Sequence, residues 1–334
     1  MNTNALYLTE APAIAGLSFR NWRDKSDLPA MLAVINASKT VDQEERHDTL
    51  EDLIQNYTHL TNCDPRQDML LAEIDGQVVA YSRVTWWVVA HSQERIYMSF
   101  GFVHPEWRRK GIGRAMLHHN QNRLREIAAG HPQDGSRSFE SLANNHQEGA
   151  RAMLGKEGYQ VIRRAYAMVR PDLENIPDLP LPAGLETRPV HADQYHQVWE
   201  AFQDAFRDHW GYSQQQEEDY QAWLGLSEFQ PELWQVAWEG DEVAGFILNF
   251  INHGENEEYQ RKRAYTEGIG VRRAWRRRGL ARALLARSLA MHRRLGMTEA
   301  ALNVDTESLR GANVLYESMG FRPVHIHYTY RKPF

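Results

Sequence analysis

The sequence predicts an α/β protein of two tandem, homologous domains, each with strands and helices in mixed order around one sheet. Three observations lead there. Segments of the first half return in the same order in the second. A proline-rich stretch lies between the halves, and one arginine–glycine pattern follows an apolar strand in each. The length, 334 residues, also exceeds one ordinary domain.

The repeat has four anchors. "GLSFR" at 16–20 returns as "GLETR" at 184–188, and "AEIDGQVVAY" at 72–81 as "AWEGDEVAGF" at 237–246. Val103 and Gly111 match Val271 and Gly279 at an offset of 168. "ARAMLGKEGY" at 150–159 returns as "ANVLYESMGF" at 312–321. The expected domains are 1–170 and 184–334, joined by an extended linker at 171–183 that holds four prolines. In each half an opening strand (17–21; 185–188) precedes helical stretches rich in acidic and aromatic residues. A hairpin turning at "DG" or "EGD" follows, then an apolar strand (96–103; 264–271). A long amphipathic helix comes next, with Leu280, Leu284, Leu285, Leu289 and Leu295 on one face. A strand, a short helix and a last strand-like segment, "YAMVRP" or "YTYRKP", close each half.

Composition narrows the function. Net charge −6, with 42% hydrophobic and 25% charged residues, is ordinary for a globular protein and offers no basic footprint for nucleic acid. No apolar run approaches membrane-spanning length, and residues 1–16 lack the basic and apolar regions of a secretory signal. A cytoplasmic protein with no membrane partner is expected. Cys63 is the single cysteine, which excludes an internal disulfide, and no H-E-x-x-H spacing suggests a metal.

Five arginines occupy 272–278, then Gly279 opens a helix; Arg108, Gly111 and Gly113 repeat the pattern. A helix start offers unpaired N–H groups and a positive dipole end, and glycine lets an oxyanion approach. Arg276, Arg277, Arg278, Gly279, Leu280 and Ala281 are therefore a candidate phosphate cradle, against a solvated basic helix turn or a DNA-binding patch. Duplication after an apolar strand favours the cradle. Neither a G-x-x-x-x-G-K-[ST] loop nor a G-x-G-x-x-G fingerprint is present.

The strand, "RRRGLA", the long helix, "LNV" and "ANVLYESMGF" together resemble the GCN5-related N-acetyltransferase superfamily, and the tandem arrangement with "AFRDHWGY" resembles its mycothiol synthase-like members. The resemblance covers nearly the whole chain. It implies two tandem GNAT-type domains, each a mixed, mostly antiparallel sheet with helices on both faces. It implies acetyl-CoA as cosubstrate, bound through R-x-x-G-x-G/A and the strand ends at Ile269 and Val271, with Val103, Arg108, Gly111 and Gly113 as the first-half equivalents. It places Tyr316 as the acid for the leaving thiolate and Glu267 as the base; their first-half counterparts are Leu154 and Ser99, so catalysis is expected in the second domain. Period-two geometry puts Glu267, Ile269 and Val271 on one face. Ser308 stands where many members carry an asparagine against CoA.

The acceptor pocket is expected from about 192–226, with Asp208, Trp210 and Tyr212 as substrate-binding residues beside Phe206 and His209. An aromatic wall with a carboxylate suits a small-molecule amine. Trp199, Trp210 and Trp223 read equally as core packing. The polar stretch 251–265 reads as a lid or a solvated loop. A monomer or homodimer is expected. The rival readings are a non-catalytic acyl-CoA-binding or regulatory protein and a protein or peptide N-acetyltransferase.

Overall fold

The computed structural model describes residues 5–307 and 311–334. Two compact units emerge, Met1–Ile162 with Tyr328–Phe334, and Arg163–His327. Their membership departs from the ranges 1–170 and 184–334 at the two strand-like tails: 163–170 packs in the second unit and 328–334 in the first.

The first unit contains β1 (Ala5–Leu6), β2 (Leu17–Asn21), α1 (Leu28–Asp42), α2 (Leu50–Thr58), α3 (Pro65–Asp68), β3 (Met69–Ile74), β4 (Gln77–Val88), β5 (Arg95–Val103), α4 (Ile112–Ala129), β6 (Arg137–Asn144) and α5 (Glu148–Lys156). Strands β1 to β5 pair antiparallel in sequence order, and β6 joins β5 in parallel. The β3–β4 turn uses Asp75 and Gly76, both at positive φ (+48° and +84°), which is the backbone a two-residue hairpin needs. Strand β7 (Gln160–Arg170) then leads away into the second unit.

The second unit repeats the order: β8 (Glu186–Thr187), α6 (Tyr195–Phe206), α7 (Glu217–Leu224), β9 (Gln235–Glu239), β10 (Glu242–Phe250), α8 (His253–Glu258), β11 (Arg263–Val271), α9 (Leu280–Arg294), β12 (Glu299–Asp305), α10 (Ala312–Ser318) and the start of β13 (Arg322–Pro333). Strands β8 to β11 are antiparallel neighbours, β11 and β12 run parallel, and β7 closes the sheet against β12. Helices cover both faces. On one, Leu280, Leu284, Leu285 and Leu289 of α9 pack with α10 and residues Ala237, Ala244 and Ile247. On the other, α6 packs on Val236, Trp238, Phe246 and Leu248. Burying each leucine contributes roughly 1.5–3 kcal/mol. Leu295 departs from the expected stripe, because α9 ends at Arg294 and Leu295 is exposed.

Two expected loops are more ordered than their composition suggests. The proline-rich linker buries Leu173 and lays Ile176, Leu179 and Leu181 along the α9 core. The 251–265 stretch forms α8, capped by Asn252. Its buried Glu255 accepts hydrogen bonds from the Tyr265 hydroxyl and from Arg261, so the segment is tied to β11.

Candidate active site

Where β10 pairs with β11, Phe246 faces Gly270 but Leu248 faces Glu267, so Ile247 opposes both Gly268 and Ile269. This is a β-bulge, with Gly268 at φ +55°. The extra residue breaks the expected alternation. Ile269 and Val271 pack on the α9 side, whereas Glu267 shares the face of Leu248, toward α6. The three residues therefore do not lie on one face.

One strand over, β11 and β12 pair only through Arg263–Glu299, Ala264–Ala300 and Tyr265–Ala301, then diverge. Glu267 spans the opening: one carboxylate oxygen accepts from the Asn303 backbone N–H and side-chain amide, each at 2.9 Å. Burial pushes its pKa up to about 7 against the pull of those two donors. Tyr316 is buried on α10. Burial, and secondarily the Glu267 carboxylate, raise its pKa, so the phenol stays protonated at neutral pH. Among the described residues no group hydrogen-bonds its hydroxyl.

A cleft of about 1430 Å³ brings Glu267, Tyr316, Ile269, Val271, Arg276, Arg277, Gly279, Leu280 and Ala281 together. Gly279, at φ +85°, is the N-cap of α9, and no side chain caps that start. A methyl group placed on Gly279 would meet nothing within 4 Å, so the first amides of α9 stand open to an anion. Arg276 lines the cleft, but its guanidinium is committed elsewhere: it donates to the Val271 carbonyl (2.8 Å), the Ala205 carbonyl (3.1 Å) and Asp208 (3.3 Å). Arg278 lies outside the cleft lining and donates to the Ala183 carbonyl. Arg277 and Arg282 are exposed on the cleft and pair with no described residue. Arg282, three residues beyond Gly279 and thus on the same turn, escaped the sequence reading, as did Asn303.

The expected acceptor residues are placed elsewhere. Asp208 is held by Arg273 and Arg276, Trp210 sits against the Arg163 guanidinium, and the Tyr212 hydroxyl donates to Gln203. None of the three lines the cleft. Phe202, Phe206, His209, Trp223, Leu226 and Glu228 do. Trp199 is core, packed on Trp223 and Phe202. Ser308 lies outside the described residues.

The first-unit counterpart has the same loop with different surroundings. Arg109 repeats the φ of Arg277, +62° in both, and Gly111 stands at +94°. Arg108 donates to the Val103 carbonyl (2.9 Å) as Arg276 does to Val271, and grips Asp42 through two bonds of 2.6 and 2.9 Å. Gly113 packs near Val103 and Met153. A methyl on Gly111, however, would lie 3.2 Å from Pro12, because the 7–16 segment crosses the helix start and anchors Leu8 and Ile14 beside Ile112 and Met116. Strands β4 and β5 pair from Val88–Arg95 to Ala80–Val103 without a bulge. Ser99 accepts from Asn120 at 2.8 Å, and Leu154 is buried.

Comparison with known proteins agrees with this architecture. The Acetyltransferase (GNAT) family model matches residues 195–321, and an Acetyltransferase (GNAT) domain model matches 65–161. A protein named mycothiol acetyltransferase from Geodermatophilus obscurus is 27% identical over 273 residues, covering 80% of this chain and 82% of that one. Its namesake from Parafrankia sp. is 25% identical, covering 79% and 83%. Among solved structures, a GCN5-related N-acetyltransferase from Sphaerobacter thermophilus superposes with a TM-score of 0.70 at 24% identity over 95% of each chain. A tandem GNAT protein from the clavulanic acid biosynthesis pathway gives 0.67 at 15% identity, over 95% of this chain and 98% of that one. Both likenesses concern the fold.

Proposed function

Because the chain belongs to the GCN5-related N-acetyltransferase (GNAT) family, with two such domains in tandem, we propose that it transfers the acetyl group of acetyl-CoA to a primary amine of a small molecule, and that the second unit does the chemistry. One observation carries this reading. In that unit an uncapped, open helix start and a carboxylate–phenol pair line a single cleft at a strand splay. The relatives named for mycothiol acetylation support a small-molecule acceptor.

Acetyl-CoA supplies the activated acyl group. The open amides following Gly279, with Arg277 and Arg282 beside them, suit its diphosphate. Glu267, poised near neutrality, takes a proton from the attacking amine. Tyr316 gives its proton to the departing thiolate. Main-chain N–H groups at Ile269–Val271, where the bulge interrupts the ladder, polarise the thioester carbonyl. Among the described residues Cys63 has no place in this unit, and attack is direct, without a covalent enzyme intermediate.

The test is thiol release from acetyl-CoA with a panel of amines, alongside calorimetry. The expected result is amine-dependent release and one acetyl-CoA bound per chain, since Pro12 lies over the Gly111 cradle. Binding without turnover on any acceptor would instead favour an acyl-CoA-binding protein, and turnover restricted to peptides a peptide acetyltransferase.

A further inference from the structure

The Glu267 side of the cleft has a composition that bears on the acceptor itself. Phe202 and Phe206 from α6, Trp223 from α7, Leu226 beyond it, and Leu248 and Phe250 from β10 wall this side. The rings support one another. Phe202 stacks on Phe206 with centroids 4.4 Å apart, Trp223 on the buried Trp234 at 5.2 Å, and Phe250 on Tyr265 at 4.7 Å. Phe202, Phe206 and Trp223 are each only half-buried, so core neighbours hold them while a face remains open. The polar side chains here are mostly committed to one another: Arg273 and Arg276 to Asp208, Asp305 to Arg163, and Asn303 to one oxygen of Glu267, while His209 and Glu228 are exposed.

Such a wall recognises flat apolar surface by contact and a cation by its carboxylates and ring faces. It offers few partners to a body covered in hydroxyls, whose burial would strand hydrogen-bonding groups. Resting on the acetyl-transfer reading above, we propose that the acceptor is a primary amine carried on an aromatic or similarly flat apolar body, with that body against Phe206 and Trp223 and the amine toward Glu267. Glu228 draws the protonated amine to the cleft, and Glu267 receives its proton.

The experiment compares 2-phenylethylamine with glucosamine as acceptors for the full-length chain at saturating acetyl-CoA, following thiol release. The expected kcat/KM favours phenylethylamine at least about tenfold, the scale of discrimination an apolar pocket achieves. Trp223→Ala and Phe206→Leu should each raise KM for phenylethylamine about tenfold, with kcat and the KM for acetyl-CoA little changed. Trp223→Phe should restore most of the loss; a variant that merely unfolds the site would move all three parameters. Equal or better use of glucosamine, or an unchanged KM in both Trp223→Ala and Phe206→Leu, would overturn the proposal while leaving the enzyme assignment standing. Acetyl-CoA binding with no release on either amine or on any other acceptor would overturn the assignment of acetyl transfer, and this inference with it.

Discussion

The loops at Arg108–Gly111 and Arg276–Gly279 follow the same backbone path, yet Pro12 covers one and the other opens into a cleft. In both, the first arginine ties the last strand carbonyl to a carboxylate, Asp42 or Asp208. That tie explains how the loop survives in a unit without the Glu–Tyr pair: it fastens the helix before the sheet to the strand that precedes the long helix. The arginine–glycine motif therefore reports architecture first. Among the described residues, only the second unit combines that loop with the bulge, the splay and a carboxylate–phenol pair, the proposed base and acid.

Single substitutions should separate the two units, the largest effects first. The largest effect should come from Glu267→Gln, which removes the proposed base and should lower kcat roughly a thousandfold. With the carboxylate as the proposed base, its pKa near 7 should make kcat/KM of the parent rise with pH up to about 7 and level above; the variant's profile should lose that rise. Tyr316→Phe should cut kcat about a hundredfold with acetyl-CoA affinity unchanged by calorimetry. Undiminished turnover would remove the phenol from the mechanism.

A third difference sits inside the long helices. His292 on α9 is fully buried, where the repeat places Leu124 on α4. Among the described residues neither ring nitrogen has a hydrogen-bond partner, and burial lowers its pKa to about 4. The folded state therefore binds this proton less readily than the unfolded chain. Stability is intact above about pH 6.5 and falls as pH drops from 6.5 toward 4. At pH 5 the penalty is about 2 kcal/mol, so His292→Leu should raise the denaturation midpoint at pH 5 well beyond any change at pH 8. The smallest effect should separate the two glycines. Both Gly279→Ala and Gly111→Ala should cost about 1–2 kcal/mol of stability from their left-handed backbone, but only Gly279→Ala should weaken acetyl-CoA, about tenfold.

Much of the fold was legible because its signals are local and repeated: turn glycines, the leucine stripe of α9 and anchors at matched offsets. The candidate acid and base were legible from spacing within the family pattern. What sequence concealed was non-local. The bulge depends on how β11 registers against β10, and a period-two count along one strand cannot see an extra residue opposite Ile247. Asp208 looked like a substrate carboxylate because its partners, Arg273 and Arg276, lie 65 and 68 residues away. Pro12 over Gly111 joins segments about a hundred residues apart, and nothing in either announces the contact.

The traded tails also bear on synthesis. Tyr330 is buried in the first unit, and Phe334 stacks on Phe139 there at 4.5 Å. The half that leaves the ribosome first thus lacks part of the cluster around Phe139 and Leu154 until residues 328–334 emerge. A nonsense mutation just upstream of Tyr328 should injure the older half of the nascent polypeptide, uncovering Tyr97 and Phe139 far along the chain from the premature stop.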